Sequence, residues 1–267
     1  GLHDVQVSFF EDLVCAMMAN IKNQAELTTQ EQIKQAVIGR PINFHGRGGE
    51  EANRQAEHIL SRAAKRAGFQ DIAFQFEPVA AGLDYESTLT QDQTVLVVDI
   101  GGGTTDCSLL EMGPTWLGKS DRTQSLLAHS GQRVGGNDLD IYLAFKQLMS
   151  PFGIGSKGTS GIDMPLTQFW NPIAINNVEA QKNFYSRENL AALKLLRKEA
   201  AEPQKLDRLM KVYYDTLGYS IVRRAEEAKI ALAECAQYRA AINVASELVE
   251  VDISVEQMVD AIETPKS

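Results

Sequence analysis

Apolar residues recur at helical spacing from the start of the chain. Phe9 and Phe10, Leu13 and Val14, Met17 and Met18, and Ile21 form one broad stripe, which predicts a helix over residues 5–23. A short strand, Ala36–Ile38, follows and stops at Gly39 and Pro41. Beyond a loop carrying three glycines up to Gly49, a second helix is expected over Glu50–Ala67. There Ala52, Ala56, Ile59, Leu60, Ala63 and Ala67 share a face, acids open the first turn and Gly68 follows the last. Strand Ile72–Phe76 leads through Glu77-Pro78 into a short helix, Val79–Tyr85. Pro78 suits its first turn, because the missing N–H would have no partner there.

A polar stretch, Ser87–Gln93, separates this half from the strand Val95–Ile100. Thr104–Glu111 reads as a second strand, and Gly113-Pro114 as a turn into a third near Thr115–Leu117. Connections that short imply an antiparallel meander. After Gly135-Gly136, Asn137 is the expected N-cap of a helix Asp138–Met149. Residues 150–172, with four glycines and three prolines, read as an irregular excursion. Helical spacing returns from Arg187 and strengthens over Leu206–Glu234, before a strand, Glu247–Ile253, and a helix beginning at Ser254. No repeat at solenoid spacing is visible. The order is α/β, a meander, a mostly helical insertion, then β/α again, which is an α/β class with an inserted subdomain.

Length changes this picture only by allowing roughly two domains, or one large one with an insertion, in 267 residues. The balance of 44% hydrophobic to 23% charged residues is that of a globular chain, and a net charge of -9 argues against a polyanion-binding surface. The Arg62/Lys65/Arg66 cluster therefore reads as a solvated helix face. Three scattered cysteines suit reduced thiols, and the four histidines show no metal-ligand spacing. No window reads as a membrane span or signal peptide, so a cytoplasmic protein binding neither membrane nor nucleic acid is expected. The chain opens on Gly1 inside an apolar stretch and closes just after a new amphipathic segment. Both ends read as cuts through a larger protein.

The candidate chemistry centres on "VLVVDIGGGTTD", residues 95–106. A strand ending on Asp99 places a carboxylate at a sheet rim. Gly101, Gly102 and Gly103 then let the backbone turn with its N–H groups exposed and no Cβ in a ligand's way, an anion nest suited to phosphate. Two negative groups need a mediator between them, so Mg²⁺ or an ordered water is implied there. Thr104 and Thr105 add hydroxyls and Asp106 a second carboxylate. Glu77, also at a strand end, either shares a hydrated metal or simply caps the dipole of the helix behind it. Gly135-Gly136-Asn137-Asp138 reads as a loop-to-helix turn that could also hold an anion or a sugar hydroxyl. Gly153-x-Gly155-x-x-Gly158 follows a helix rather than a strand, so it is no dinucleotide fingerprint. Arg223 and Glu227, four apart, are expected to pair on a helix surface.

Taken in order, these motifs resemble the nucleotide-binding domain of DnaK-type heat-shock chaperones in the actin-like ATPase superfamily, and most closely its YegD-like branch. "VIGRPINF" resembles the strand and loop before that family's crossing helix, and "FEPVAAGLDYE" its Asn-Glu-Pro-Thr-Ala-Ala segment. "DIGGGTTD" is similar to the second phosphate motif, "VGGNDLD" to the Leu-Gly-Gly-Glu-Asp-Phe-Asp segment, and "AEEAKIALA" to the helix flanking adenine.

The resemblance implies ribonuclease-H-like lobes around an ATP/ADP cleft. Residues 1–90 would be the later part of the first lobe, 91–134 and 236–267 the core of the second, and 135–235 its helical insertion. Asp99 would hold the Mg²⁺ shell or orient water, and Glu77 would bond metal-bound water. Gly101, Gly102, Gly103, Thr104 and Thr105 would wrap the terminal phosphates, with Thr104 joining Asp99 and Glu77 in catalysis. Gly135 and Gly136 would lie near ribose and phosphate, and Glu226 and Lys229 on the ribose side. Ile230 and Ala233 stand where the family carries an Arg and a Ser against adenine. The first phosphate motif and a C-terminal Gly-Gly loop are missing from the sequence, so a partial domain with little turnover of its own is expected. Client proteins and co-chaperones are the implied partners. A small-molecule kinase relative and a non-catalytic nucleotide sensor are the alternatives.

Overall fold

The computed structural model describes residues 4–42, 44, 49–119 and 121–263. The glycines expected at 46 and 48, the histidines at 3 and 45, and the extreme C-terminus lie outside them. The chain divides into two units: residues 1–99 with 106–131, and residues 100–105 with 132–267.

The first unit opens with helix α1 (Asp4–Thr29), longer than its apolar stripe predicts. The stripe ends at Ile21, but Gln24–Glu26 are good helix formers. Lys22 pairs with Glu26, which also accepts a hydrogen bond from the Ile33 amide at 2.9 Å, and the chain leaves the helix at Gln30 with φ +57°. Helix α2 (Gly49–Arg66) packs along α1 between strands β1 (Gln35–Arg40) and β2 (Asp71–Phe76), which pair in parallel. The Arg62/Arg66 face is not merely solvated. Both guanidinium groups converge on the buried Glu11 carboxylate, at 2.9 and 3.0 Å, and Arg66 also takes Asp12.

Helix α3 (Glu77–Ser87) follows β2 without a connecting residue, and its buried face is Pro78, Val79, Gly82 and Glu86. Strands β3 (Gln93–Ile100), β4 (Thr105–Met112) and β5 (Leu126–Gln132) form a sheet in that order. The third strand does not lie at Thr115–Leu117 as the sequence suggested. Those residues turn back on Gly113, whose carbonyl accepts from the Trp116 and Leu117 amides at 2.9 and 3.2 Å. A buried ion pair holds this connection. The Glu86 carboxylate accepts from Arg122 Nη1 at 2.9 Å, Arg122 Nη2 at 2.7 Å and the Gly113 amide at 3.1 Å. Nothing local in the sequence announces an ion-pair partner 36 residues away.

The second unit contains helix α4 (Gly136–Leu143), which continues through a π-helical turn, Ala144–Leu148. Its N-cap is Gly135, not Asn137: the Asp138 carboxylate bends back to accept the Gly135 amide at 2.9 Å, which moves the helix start two residues upstream. The excursion over 150–172 includes a 3₁₀ turn, Ser150–Phe152, and the short helix α5 (Thr167–Trp170). Helices α6 (Val178–Phe184), α7 (Arg187–Glu199), α8 (Pro203–Asp215) and α9 (Gly218–Ala231) follow. The long helical pattern from Leu206 is thus two helices, broken where Thr216 adopts φ +50°. Arg223 does lie within reach of Glu227, at 3.6 Å, and Arg224 joins it.

One strand escaped the sequence reading. Strand β6 (Gln237–Val244) pairs antiparallel with β7 (Glu247–Ser254), ahead of helix α10 (Val255–Glu263). Tyr238, Ala240, Ile242 and Val244 of β6 alternate inward. Ala240 in this inward set and Ala241 on the opposite face together weaken the apolar contrast that marks a strand. Phe152, Phe169, Phe184, Leu193, Leu206 and Ile221 centre this unit's core.

Two substitutions test this packing. A Cβ on Gly218 would sit 1.8 Å from the Pro172 carbonyl oxygen, so Gly218→Ala should destabilise by about 1–3 kcal/mol or more, although Ala is the better helix former. Arg122→Ala strands the Glu86 carboxylate and should cost about 3–5 kcal/mol. Urea denaturation with both variants reads these losses as lower midpoints.

Candidate functional site

In the first unit, three strand ends supply carboxylates. Asp99 is the penultimate residue of β3, Asp106 the second of β4, and Glu77 the first of α3, directly after β2. A small cavity of about 20 Å³ is walled by all three together with Ser108, His129, Pro41, Ile42 and Pro78. Burial pushes the Glu77 carboxyl above its usual range, and the nearby charges of Asp99 and Asp106 push it further the same way. A carboxylate at a helix N-terminus is ordinarily favoured by the helix dipole. Here burial and like charge outweigh that dipole.

The donor set is all hard oxygen. Among the described residues no three acidic, His or Cys side chains converge closely enough to ligate an ion directly. That combination fits Mg²⁺, which keeps several of its waters and is held through them. A larger concavity lies along β1, β2 and α2, lined by Gln35, Val37, Lys65, Asp71 and Ala73, but it gathers no comparable set of acids.

In the second unit, residues 101–104 form a loop latched to the start of α4. The Gly101 amide donates to the Thr104 carbonyl at 2.8 Å and closes the loop. The Gly101 and Gly102 carbonyls accept the Gly136 and Asn137 amides, at 2.9 and 2.7 Å. The amides of Gly102, Gly103 and Thr104 meet no acceptor among the described residues. Three successive unpaired N–H groups are the donor pattern of an anion nest. A Cβ on Gly103 would meet nothing within 4 Å, so the nest is open there. Gly135 is a different kind of glycine: a Cβ would lie 2.6 Å from the Gly101 and Gly102 oxygens, so its role is to let two backbones touch. The Thr105 hydroxyl is committed to the Val134 carbonyl at 2.8 Å.

The α9 candidates separate by environment. Lys229 Nζ pairs with the buried Asp140 carboxylate at 2.7 Å and reaches the Gly136 carbonyl at 3.4 Å. Burial pushes Asp140 up, the Lys229 hydrogen bond and charge pull it down, and Glu226 adds an upward push. Glu226, Ile230 and Ala233 are exposed, Ile230 to 64%.

The model of the Hsp70 protein family matches residues 6–168, more than half of the chain. The chain belongs to the Hsp70 family. A relative named Chaperone protein dnaK, from Emiliania huxleyi, is 33% identical over 155 residues, which cover 58% of this chain and 22% of that protein. The chain therefore spans only about a fifth of the length of that curated relative. The matched segment of this Hsp70 chain contains both the acidic cavity and the glycine loop, and ends before α9.

The structure thus gathers Glu77, Asp99 and Asp106 in one unit. In the other it joins Gly101, Gly102, Gly103, Thr104 and Thr105 to Gly135 and Gly136, with Lys229 against Gly136. Sequence reasoning missed Ser108 and His129. Ser108 was accessible from the alternation that puts it on the Asp106 face of β4. His129 was not, because the sequence pattern points to a strand at Thr115–Leu117 rather than at Leu126–Gln132. Asp140, the partner of Lys229, was also unforeseen; the spacing of α4 and α9 along the chain carries no trace of their contact.

The upward shift of Glu77 has a defined sign. A carboxyl raised in the folded state contributes full stability below its ordinary pKa and loses it as pH rises through the folded value. Asp99→Asn should therefore lower the Glu77 pKa and stabilise the protein at neutral pH, the gain vanishing in acid where Glu77 is protonated. Carboxyl NMR titration with thermal melts at two pH values reads both effects. Gly135→Ala should separate the loop from α4 and lower stability by about 1–3 kcal/mol, seen in thermal melts as a lower Tm.

Proposed function

We propose that this chain is the nucleotide-binding part of a chaperone-type ATPase and that its ligands are ATP and ADP with Mg²⁺. The observation that carries this reading is the run of unpaired amides at Gly102, Gly103 and Thr104 in a loop flanked in sequence by Asp99 and Asp106. The Hsp70 family match over residues 6–168 supports it. The reading assigns residues 1–90 to the later part of one ribonuclease-H-like lobe, 91–134 and 236–267 to the core of a second, and 135–235 to its inserted helical subdomain.

The chemistry is phosphoryl transfer to water, which depends on positioning and charge neutralisation more than on covalent steps. The glycine-loop amides and the Thr104 hydroxyl bind the terminal phosphates. Asp99 and Glu77 bond the water shell of the metal, and Mg²⁺, when bound, neutralises charge developing on the phosphate oxygens. Gly135, Gly136, Thr105 and Glu226 shape the surface beside ribose and phosphate, and Lys229 supports that surface through Asp140. The match covers about a fifth of its relative, consistent with a partial domain that turns ATP over slowly by itself. Client proteins and co-chaperones are the partners of this reading. A second reading, nucleotide sensing without turnover, is favoured by the exposed Ile230 and Ala233, which offer a base no polar group.

Gly103→Ala tests the nest without touching the packing, because its Cβ has open space. Calorimetric titration with ATP and Mg²⁺ should give an affinity about tenfold weaker than wild type at unchanged Tm, because the added methyl fills the open space a phosphate would need beside the amides. Equal affinity in the variant would remove the loop from the site. Binding without turnover in both proteins would select the sensor reading.

A further inference from the structure

The acidic cavity contains a group that the chemistry above does not use. Ser108 follows Asp106 by two residues on β4, so the pleat turns both side chains to one face. Ser108 is 1% exposed, and its Oγ meets no hydrogen-bond partner in the protein. Buried hydroxyls are rarely left so, because the cost of taking them out of water is then uncompensated. Ser108 lines the cavity shared with Glu77, Asp99, Asp106 and His129.

The size of that cavity selects its occupant. About 20 Å³ is room for one water-sized molecule, and a buried water needs about three polar partners. Ser108 Oγ, the His129 imidazole and the three carboxylates provide more than enough. A bare divalent ion would require about six ligands, and no three ligating side chains converge among the described residues. Asp106 itself is closely packed: a Cβ on Gly131 of β5 would come within 2.4 Å of its Oδ1. One carboxylate oxygen thus lies against the neighbouring strand, and the orientation of the group is sensitive to whatever bonds it from the cavity.

We propose that the cavity is a one-water site anchored by Ser108 and His129, and that the water donates to Asp106 and holds this carboxylate in one orientation. Ser108 Oγ–H donates to the water oxygen; the water donates one hydrogen to Asp106 and leaves the other for His129 or a second carboxylate. Ser108 and His129 are positioning residues, acting on the reaction through Asp106. A carboxylate fixed in advance accepts a hydrogen bond from the nucleophilic water without reorganising at the moment of reaction. This catalytic consequence rests on the ATPase reading, whereas the water site does not.

The test uses the wild-type chain with Ser108→Ala and His129→Asn. A high-resolution crystal structure should show an ordered water about 3 Å from Ser108 Oγ, and its absence overturns the proposal. Ser108→Ala should lower Tm by about 2–4 °C, as loss of a satisfied hydrogen bond does. A Tm equal to or above wild type would mean that the hydroxyl had no partner to lose, and sinks the idea. The ¹³Cγ resonance of Asp106 should shift in both variants while amide resonances outside the cavity stay in place, a signature that general loosening does not produce. An unmoved Asp106 resonance overturns the positioning role, and His129→Asn supplies this readout if Ser108→Ala does not fold. Where wild type hydrolyses ATP, kcat should fall about tenfold in Ser108→Ala with KM unchanged. Wild-type protein without turnover counts against the ATPase reading alone, because the water and the Asp106 resonance are read independently of it.

Discussion

The latch between the glycine loop and the start of α4 is the contact on which the open amides of the loop depend. Two loop carbonyls, of Gly101 and Gly102, take the amides of Gly136 and Asn137, which a helix N-terminus otherwise leaves without partners. With its carbonyls turned to the helix, the loop keeps the amides of Gly102, Gly103 and Thr104 for something else. The latch closes only because residue 135 has no Cβ. Lys229 reinforces it from α9 by holding the Gly136 carbonyl and the buried Asp140 together. One arrangement thereby caps a helix, closes a loop and leaves an anion nest.

The acidic cluster obeys the opposite logic. The latch satisfies each group it can, whereas Glu77, Asp99 and Asp106 sit close enough for the latter two to raise the pKa of the first. Such an arrangement opposes folding at neutral pH, and perturbed carboxyls of this kind cluster at functional sites. The first unit compensates elsewhere with hydrogen-bonded ion pairs. Glu11 is clasped by two arginines and Glu86 is bound by Arg122, so buried charge in those places has its counter-charge within about 3 Å. The contrast separates charges that hold the unit together from charges left among like neighbours.

The parts of this protein legible in the sequence are those whose signal is local. Helix α2 reads from its alanine and leucine stripe, and β2 from an alternating apolar run. The glycine loop reads from the juxtaposition of an apolar strand, an acid and three residues without side chains. The ordered motifs also led to the family that the match over residues 6–168 establishes. The misplacements share one cause, which is a dependence on distant partners. Gly113-Pro114 reads as a hairpin turn and so predicts the third strand at Thr115–Leu117. In the folded chain the Glu86–Arg122 pair holds that region as a connection and defers the strand to Leu126–Gln132. Residue preference points to Asn137 as the N-cap, yet the Asp138 carboxylate and the loop carbonyls together bring the cap forward to Gly135.

By itself, the sequence determined where backbone freedom and carboxylates occur along the chain, because glycine runs and strand-end acids are properties of neighbouring residues. Tertiary structure alone decided what each of them meets. Gly135 and Gly103 are equal as letters, but one is pressed against backbone and the other opens to solvent. Lys229 and Glu226 lie on one helix, but only the lysine finds a buried acid. Ser108 looks like an ordinary strand residue until β4 and β5 close a cavity around it. Hydrogen-bond partners, burial and electrostatic neighbours are set by residues tens of positions apart, and those distances exist only once the chain has folded.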